Sequence, residues 1–416
     1  MQDVSHHSNQ DSQVDNAPKA KGAVIVIAVS VFLNFTGFTL ILPVIPFLVG
    51  QYVPPEQVGL YVGLIVSVFA LCAFCAAPVL GVLSDRYGRR PILMLSLFGS
   101  AIGYLIFGLG GALWILFLGR MIDGLTAGNV STIYAYVADT VAPGERGRIY
   151  GLLGAVGGLG FMLGPVAGGL LGATSPSAPL FAAAALTLGN VVWIYFALPE
   201  TVAHIGPRAP WQWQRLNPFA QLAHVLGMGG LHVPFAAAFA FFFAATMLQS
   251  NFAVYLKDVL QFGPTGIGWI LFAVGVMDIV AQGFLTGKLL PRIGASALAR
   301  SGLAINAIGF ALIACLVFVP RTEFLLFAIM IFTLGDGLFQ PSINAIISNA
   351  APADAQGLVQ GANQSQQALA RMLGPLLAAV LSPFSLGAPY WAGGLIAITG
   401  VVMLLVAGRS AQVNAP

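Results

Sequence analysis

Charge is what this sequence has least of. Only 7% of its 416 residues are Asp, Glu, Lys or Arg, against about 25% in soluble domains, which excludes an ordinary water-soluble fold. Cysteine is almost absent: Cys72, Cys75 and Cys315 all lie in apolar runs, so no disulfide framework is implied. Cys72 and Cys75 have a spacing seen in metal sites, but no second pair or histidine group accompanies them. They read as small core residues, and no metal is expected. The five histidines are His6, His7, His204, His224 and His232, in the amino-terminal stretch, the middle of the chain and the margin of one apolar run. No Ser/His/Asp, Cys/His or metal-ligand cluster falls inside the apolar runs, which argues against a membrane enzyme. There is no Gly-x-x-x-x-Gly-Lys-Ser/Thr loop, which argues against a nucleotide-driven pump. The net charge of +3 is scattered over loops rather than gathered in a patch, so nucleic acid is not an expected partner.

What remains is 58% hydrophobic and contains 50 glycines. A helix needs about 20 apolar residues to cross a bilayer. On that rule spans fall near 23–50, 57–83, 91–110, 112–138, 149–172 and 178–198, then near 231–256, 266–288, 298–319, 323–349, 358–382 and 388–408. Residues 1–22 read as a disordered tail rather than a signal peptide, because they are polar and lack a convincing cleavage site. With that tail on the cytoplasmic side, 13 of the 17 Lys and Arg fall on the same side, including Arg86, Arg89, Arg90, Arg146, Arg148, Arg208, Arg215, Lys288, Arg292 and Arg300. Only Lys257 and Arg321 fall outside. This is the positive-inside asymmetry, and both termini are expected to be cytoplasmic.

The two halves repeat. Gly147 and Gly357 are separated by 210 residues, as are Gly164-Pro165 and Gly374-Pro375; Asp123-Gly124 and Asp336-Gly337 are separated by 213. The expected organisation is a six-helix bundle over 23–200, a central loop over 201–230, a second bundle over 231–408 and a tail over 409–416. The fold class is an all-α integral membrane protein with twelve helices in two pseudo-symmetric bundles.

Several segments carry a family resemblance. Between the second and third spans lies Gly81-Val82-Leu83-Ser84-Asp85-Arg86-Tyr87-Gly88-Arg89-Arg90-Pro91, four charges in six residues. Leu118-Gly119-Arg120-Met121-Ile122-Asp123-Gly124 lies in the fourth span and Gly160-Phe161-Met162-Leu163-Gly164-Pro165-Val166-Ala167-Gly168-Gly169 in the fifth. Pro43-Val44-Ile45-Pro46 closes the first span and Leu198-Pro199-Glu200-Thr201 the sixth. Together these resemble the major facilitator superfamily, most closely its twelve-span drug–proton antiporters and their tetracycline-efflux branch. The resemblance implies a monomeric secondary transporter of the inner membrane, driven by a proton gradient without a cofactor and exporting a lipophilic, hydrophobic or amphipathic compound, cationic drugs included. A facilitator, a proton symporter or a solute sensor on the same fold is the alternative. It also implies that Gly81, Asp85, Arg86, Gly88, Arg89 and Asp139 form a conformational latch, which engages the start of the eleventh helix near Gly357 in the outward-open state. Asn34 departs from the pattern, since many relatives carry an acid there.

Ionisable groups at membrane depth mark function, which makes Arg120, Asp123, Asp278, Asp336 and Arg371 the proton-coupling candidates. Arg120 and Asp123, three residues apart on one helix, can pair. Asp336 and Arg371 lie at matching depth, about 20 Å from their helix ends at 1.5 Å per residue, and are expected to form a second pair. Asp123 is the favoured proton carrier, followed by Asp336 and Asp278. Asn363, Gln367 and Arg371 recur every four residues as a polar stripe. Gly160, Gly164, Pro165, Gly168 and Gly169 are expected to form a sliding surface between the halves. Asn34, Phe38, Tyr134, Phe242, Gln249, Gln340, Asn344 and Gln367 are the candidate cavity lining.

Overall fold

Glycine and proline decide where the apolar runs begin and end as helices. The computed structural model describes residues 17–201, 218–352 and 355–413. The helices are α1 (Ala17–Leu40), α2 (Val58–Tyr87), α3 (Arg89–Leu109), α4 (Leu113–Leu125 and Asn129–Thr140), α5 (Pro143–Gly172), α6 (Ala178–Ala197), α7 (His232–Leu260), α8 (Pro264–Ile293), α9 (Ala295–Cys315), α10 (Thr322–Ala350), α11 (Gln356–Leu381) and α12 (Ala388–Val413). Among the described residues, ten helices are long and apolar enough to cross a membrane. The other two are α4 and α11, for different reasons. α4 is interrupted at 126–128, where the carbonyls of Ile122 and Asp123 accept both the N–H and the Oγ1 of Thr126. α11 is continuous but carries Gln360, Asn363, Gln364, Gln366, Gln367 and Arg371.

Four boundaries differ from expectation. α1 begins at Ala17, inside the segment read as tail, and stops before Pro43; a short helix over Ile45–Val49 completes the first span. α8 contains a π-helical turn over Val280–Thr286. The central loop contains a linker helix, Pro218–Leu226, whose Val225 is buried in the second half's core with Leu231, Phe235 and Val359. α12 continues to Val413, through most of the segment read as carboxy-terminal tail. Arg208 and Arg215, and the tail up to residue 16, lie outside the described residues.

The repeat is visible in the backbone. Gly88, between α2 and α3, has φ 107° and ψ 152°; Gly294, between α8 and α9, has φ 84° and ψ 152°. Both hold a left-handed φ that favours glycine, so the same reversal joins the same helices of each half.

The halves meet through α2 on α11 and α5 on α8. Contact is tight at the end away from the basic loops. A β-carbon on Gly63 would stand 2.6 Å from Ala379 Cβ and 2.7 Å from the Pro375 carbonyl, and one on Gly59 2.9 Å from Ser382 Oγ. On the other seam a β-carbon on Gly169 would stand 2.6 Å from the Pro264 carbonyl, and Thr265 Oγ1 donates to the Gly169 carbonyl at 3.1 Å. Five turns along the same helix faces, eighteen residues at 3.6 per turn, stand Gly81 (from Gly63) and Gly151 (from Gly169). A β-carbon on either would meet nothing within 4 Å, and the same holds for Gly154, Gly158, Gly283 and Gly287. The halves are sealed at one end and splayed at the basic end.

Candidate functional site

The charged loop is a knot within the first half. Arg89, the first residue of α3, ion-pairs with Asp85 on α2 and places Nε 2.8 Å from Asp139 Oδ2 on α4. Its Nη1 also donates to Ser84 Oγ at 2.8 Å. Glu200 was not expected here. It accepts the backbone N–H groups of Arg89 (2.9 Å) and Arg90 (3.1 Å), so it caps α3 with a negative charge at the positive end of the helix dipole. A β-carbon on Gly88 would stand 2.5 Å from Glu200 Oε2, so glycine is needed here for space as well as for φ. Leu-Pro-Glu-Thr was legible as a span-closing motif, but its partner 111 residues away was not. Arg86 lies over the Tyr87 ring at 5.9 Å rather than in the knot. Gly81 faces open space; the described contacts of the knot all lie in the first half.

Arg120 and Asp123 form a closed ion pair at 2.9 Å, with side chains 5% and 3% exposed. Ser100 hydrogen-bonds Asp123, and the guanidinium lies over the rings of Phe107 (4.8 Å) and Phe69 (5.6 Å). Gly119 and Gly103 make this possible: each β-carbon would stand 2.7 Å from the other's carbonyl, so α3 and α4 touch backbone to backbone.

The second half holds a different arrangement. Asp336 on α10 lies beside Asp278 on α8, close enough for the two carboxyls to interact, and among the described residues no ion pair joins Asp336 to Arg371. The expected second ion pair is therefore replaced by two carboxyls from neighbouring helices. Gln282 Nε2 donates to both oxygens of Asp278, at 2.8 and 2.9 Å. The π-helical turn that begins two residues after Asp278 packs against Gly337, whose β-carbon would stand 2.5 Å from Ala281 Cβ; Thr286 Oγ1 donates to the Gly337 carbonyl at 2.7 Å. π-turns often occur at functional sites. Equal depth could have signalled the pairing, since Asp278 lies 15 residues from the end of α8 and Asp336 14 from the end of α10.

The glycine stripe is divided between two roles. Gly160, Gly164 and Gly168 face α1; a β-carbon on Gly160 would stand 2.6 Å from the Phe32 carbonyl. That packing lies within the first half, not between the halves. The surface toward α8 is set over by about one residue, on Met162, Pro165 and Gly169, against Gly268 and Gly275.

The cavity-lining candidates are similarly divided. Asn34 and Tyr134 join Phe35, Gly158 and Phe161 around a cavity of about 210 Å³ between α1, α4 and α5. Gly154 and Gly158 of this cavity lie on the α5 face that meets α8 further along, so it looks toward the space between the halves. Tyr134 stacks on Tyr150 at 5.0 Å. Phe38 packs on Phe69 at 5.9 Å, and Phe242 on Phe241 at 5.2 Å beside the second half's core. Gln249 is exposed, and Gln340 and Gln367 are half-buried. Asn344 accepts from Asn363 at 3.1 Å, and Asn363 accepts from Gln366 at 2.8 Å, a buried amide chain that ties α10 to α11. Asn363 thus leaves the expected stripe.

These features agree with the chain's relatives. Residues 27–227 and 234–415 match the Major Facilitator Superfamily. The tetracycline resistance protein, class C, of Escherichia coli is 34% identical over 93% of this chain and 96% of its own length. Multidrug resistance protein 2 of Bacillus subtilis is 27% identical over 93% and 95%. The solved structure of the nucleoside transporter NupG superposes with a TM-score of 0.75 at 15% identity, covering 93% of this chain and 99% of that one, which speaks to the fold alone. Twelve helices in two repeated halves, a charged knot after α2 and the match over nearly the whole length make this multi-pass membrane protein a transporter belonging to the Major Facilitator Superfamily.

Proposed function

We propose that this transporter exports a lipophilic small molecule from the cytoplasm in exchange for protons, by alternating access between its halves. The observation that carries the proton coupling is the Asp278–Asp336 contact. Two carboxylates side by side at membrane depth repel one another, and sharing one proton relieves that repulsion, which suits the pair to carrying a proton. Moving α8 relative to α10 would break the contact and release it. Asp123, the favoured carrier on sequence grounds, is paired with Arg120 on its own helix, three residues away, so relative movement of the halves would not part them. Its geometry suits a structural pair, and the carrier role passes to Asp278 and Asp336.

The basic end is taken as cytoplasmic by the positive-inside rule. The splayed arrangement is then the inward-facing one, with its cavity open to the compartment from which an exporter loads. In this state the described contacts of the charged knot stay within the first half, and its expected partner at the start of α11 would be met when the basic end closes. Relatives named for tetracycline and multidrug resistance support export of drug-like molecules. The test is substrate-induced proton movement. Everted vesicles carrying the protein should lose part of an imposed pH gradient when a transported drug is added. Asp278→Asn and Asp336→Asn should each bind that drug and no longer move protons. Transport indifferent to the pH gradient would overturn the exchange mechanism.

A further inference from the structure

We infer that the transported compound is an amphipathic anion, and that Arg371 receives its anionic group in the cavity between the halves. The inference rests on the transport reading above and specifies the substrate class for the same cavity. Arg371 lies 15 residues into α11, about 22 Å from the helix start at 1.5 Å per residue, yet its side chain is exposed. A guanidinium at that depth is costly unless it faces water or a partner.

The helix face decides where it looks. At about 100° per residue, Pro375, Ala379 and Ser382 lie within about 80° of Arg371 around α11. These are the residues that touch Gly63 and Gly59 of α2. The face of α11 that carries Arg371 is therefore the one turned to the other half, and it is uncovered where the halves splay. Gln360, Gln364 and Gln367 fall within about 40° of Arg371 on the same face. The exposed Gln364 and half-buried Gln360 and Gln367 make that wall a ladder of amides with one fixed cation.

None of the three acids singled out at membrane depth is left to neutralise it. Asp123 is paired with Arg120 in the other half, and Asp278 and Asp336 are engaged with each other and with Gln282. Among the described residues Arg371 takes part in no ion pair. The guanidinium is always charged and offers a planar fork of donors, which fits a carboxylate, sulfonate or phosphate oxygen pair. The α1–α4–α5 cavity on the opposing half is lined by Val31, Phe35, Ile133 and Phe161 and suits an aromatic or aliphatic body. An apolar pocket in one half and a cation-bearing polar wall in the other, both uncovered where the halves splay, select a molecule that is apolar at one end and negative at the other. A cationic drug would meet Arg371 as a like charge.

The test is equilibrium binding to the purified full-length protein in lipid nanodiscs, without any gradient, using naphthylacetate, naphthylethanol and naphthylethylammonium. These probes share a body and differ in head-group charge. Naphthylacetate should bind about tenfold or more tighter than the ammonium probe, the ratio that one charge-assisted hydrogen bond supplies. Arg371→Gln should lower naphthylacetate affinity about tenfold and leave naphthylethanol binding unchanged, whereas Arg371→Lys should keep the anion preference. Melting temperature should be unchanged in both variants, since no protein partner is orphaned. Equal or weaker binding of naphthylacetate, or an anion preference that survives Arg371→Gln, overturns the inference. Because no gradient is present, an anion preference in nanodiscs together with failed proton exchange in vesicles would remove the exchange mechanism and keep the substrate class.

Discussion

Gly63 offers the most direct test of the splayed arrangement. In the sealed end a β-carbon there would stand 2.6 Å from Ala379 Cβ and 2.7 Å from the Pro375 carbonyl, and the nearest Ala379 Cα is only 3.3 Å away. A backbone carbonyl and a methyl group cannot swing aside as a long side chain can, so Gly63→Ala must push α2 from α11. Overpacking of this kind costs about 1–3 kcal/mol, which corresponds to a shift of about 5–150-fold in a two-state equilibrium. At about 1.4 kcal/mol a preference of about 10:1 for the sealed state becomes equal population. The clash lies between halves, so opening that end relieves it without unfolding either bundle. The assay is a distance distribution between spin labels at Glu56 and Ser385, exposed positions beyond the two helices, with Cys72, Cys75 and Cys315 replaced. Gly63→Ala should enrich the long-distance population. A folded variant whose distribution matches the parent would refute the argument that this contact holds the end closed. Gly164→Ala is the control: its β-carbon would run into Thr39 Oγ1 and stand 2.7 Å from the Thr36 carbonyl, both on α1 in the same half. No change of state relieves that clash, so the melting temperature should fall and the distances should not shift.

Other perturbations separate the remaining roles. Asp123→Asn leaves Arg120 buried without its counter-charge, which costs about 3–5 kcal/mol; thermal melting should drop sharply, and Arg120→Met with Asp123→Leu should recover much of it. Retained stability in the single variant would show that the pair is dispensable to the fold. Glu200→Gln removes the negative charge from the start of α3, worth about 0.3–1 kcal/mol at a helix terminus. Hydrogen exchange of the Arg89 and Arg90 amides should accelerate, and exchange at the parent rate would place the capping elsewhere. Gly88→Ala combines a strained φ with a clash against Glu200, whereas Gly294→Ala meets no neighbour and keeps only the strain. The former should cost more in melting temperature, and equal losses would leave the Glu200 contact without weight.

Composition and spacing by themselves determined a great deal about this protein. Low charge and repeated apolar runs dictate membrane-spanning helices, because an unpaired backbone cannot cross lipid. The one-sided distribution of Arg and Lys marks one end of the helices as basic, and recurrent Gly-Pro pairs point to the two halves. Arg120 and Asp123 were legible as partners because three residues on one helix bring side chains together. What sequence could not decide are the contacts between helices, whose register and rotation are set by packing. Asp336 lies 58 residues from Asp278 and 35 from Arg371, and only the tilt of α8, α10 and α11 chooses the carboxyl over the guanidinium. One residue's rotation on α5 likewise separates Gly164, which faces α1, from Pro165 and Gly169, which face α8. Glu200 reaches Arg89 only because α6 ends beside the start of α3. The splay between halves is a property of two helix pairs at once, and no local pattern in the chain encodes which end of each pair is closed.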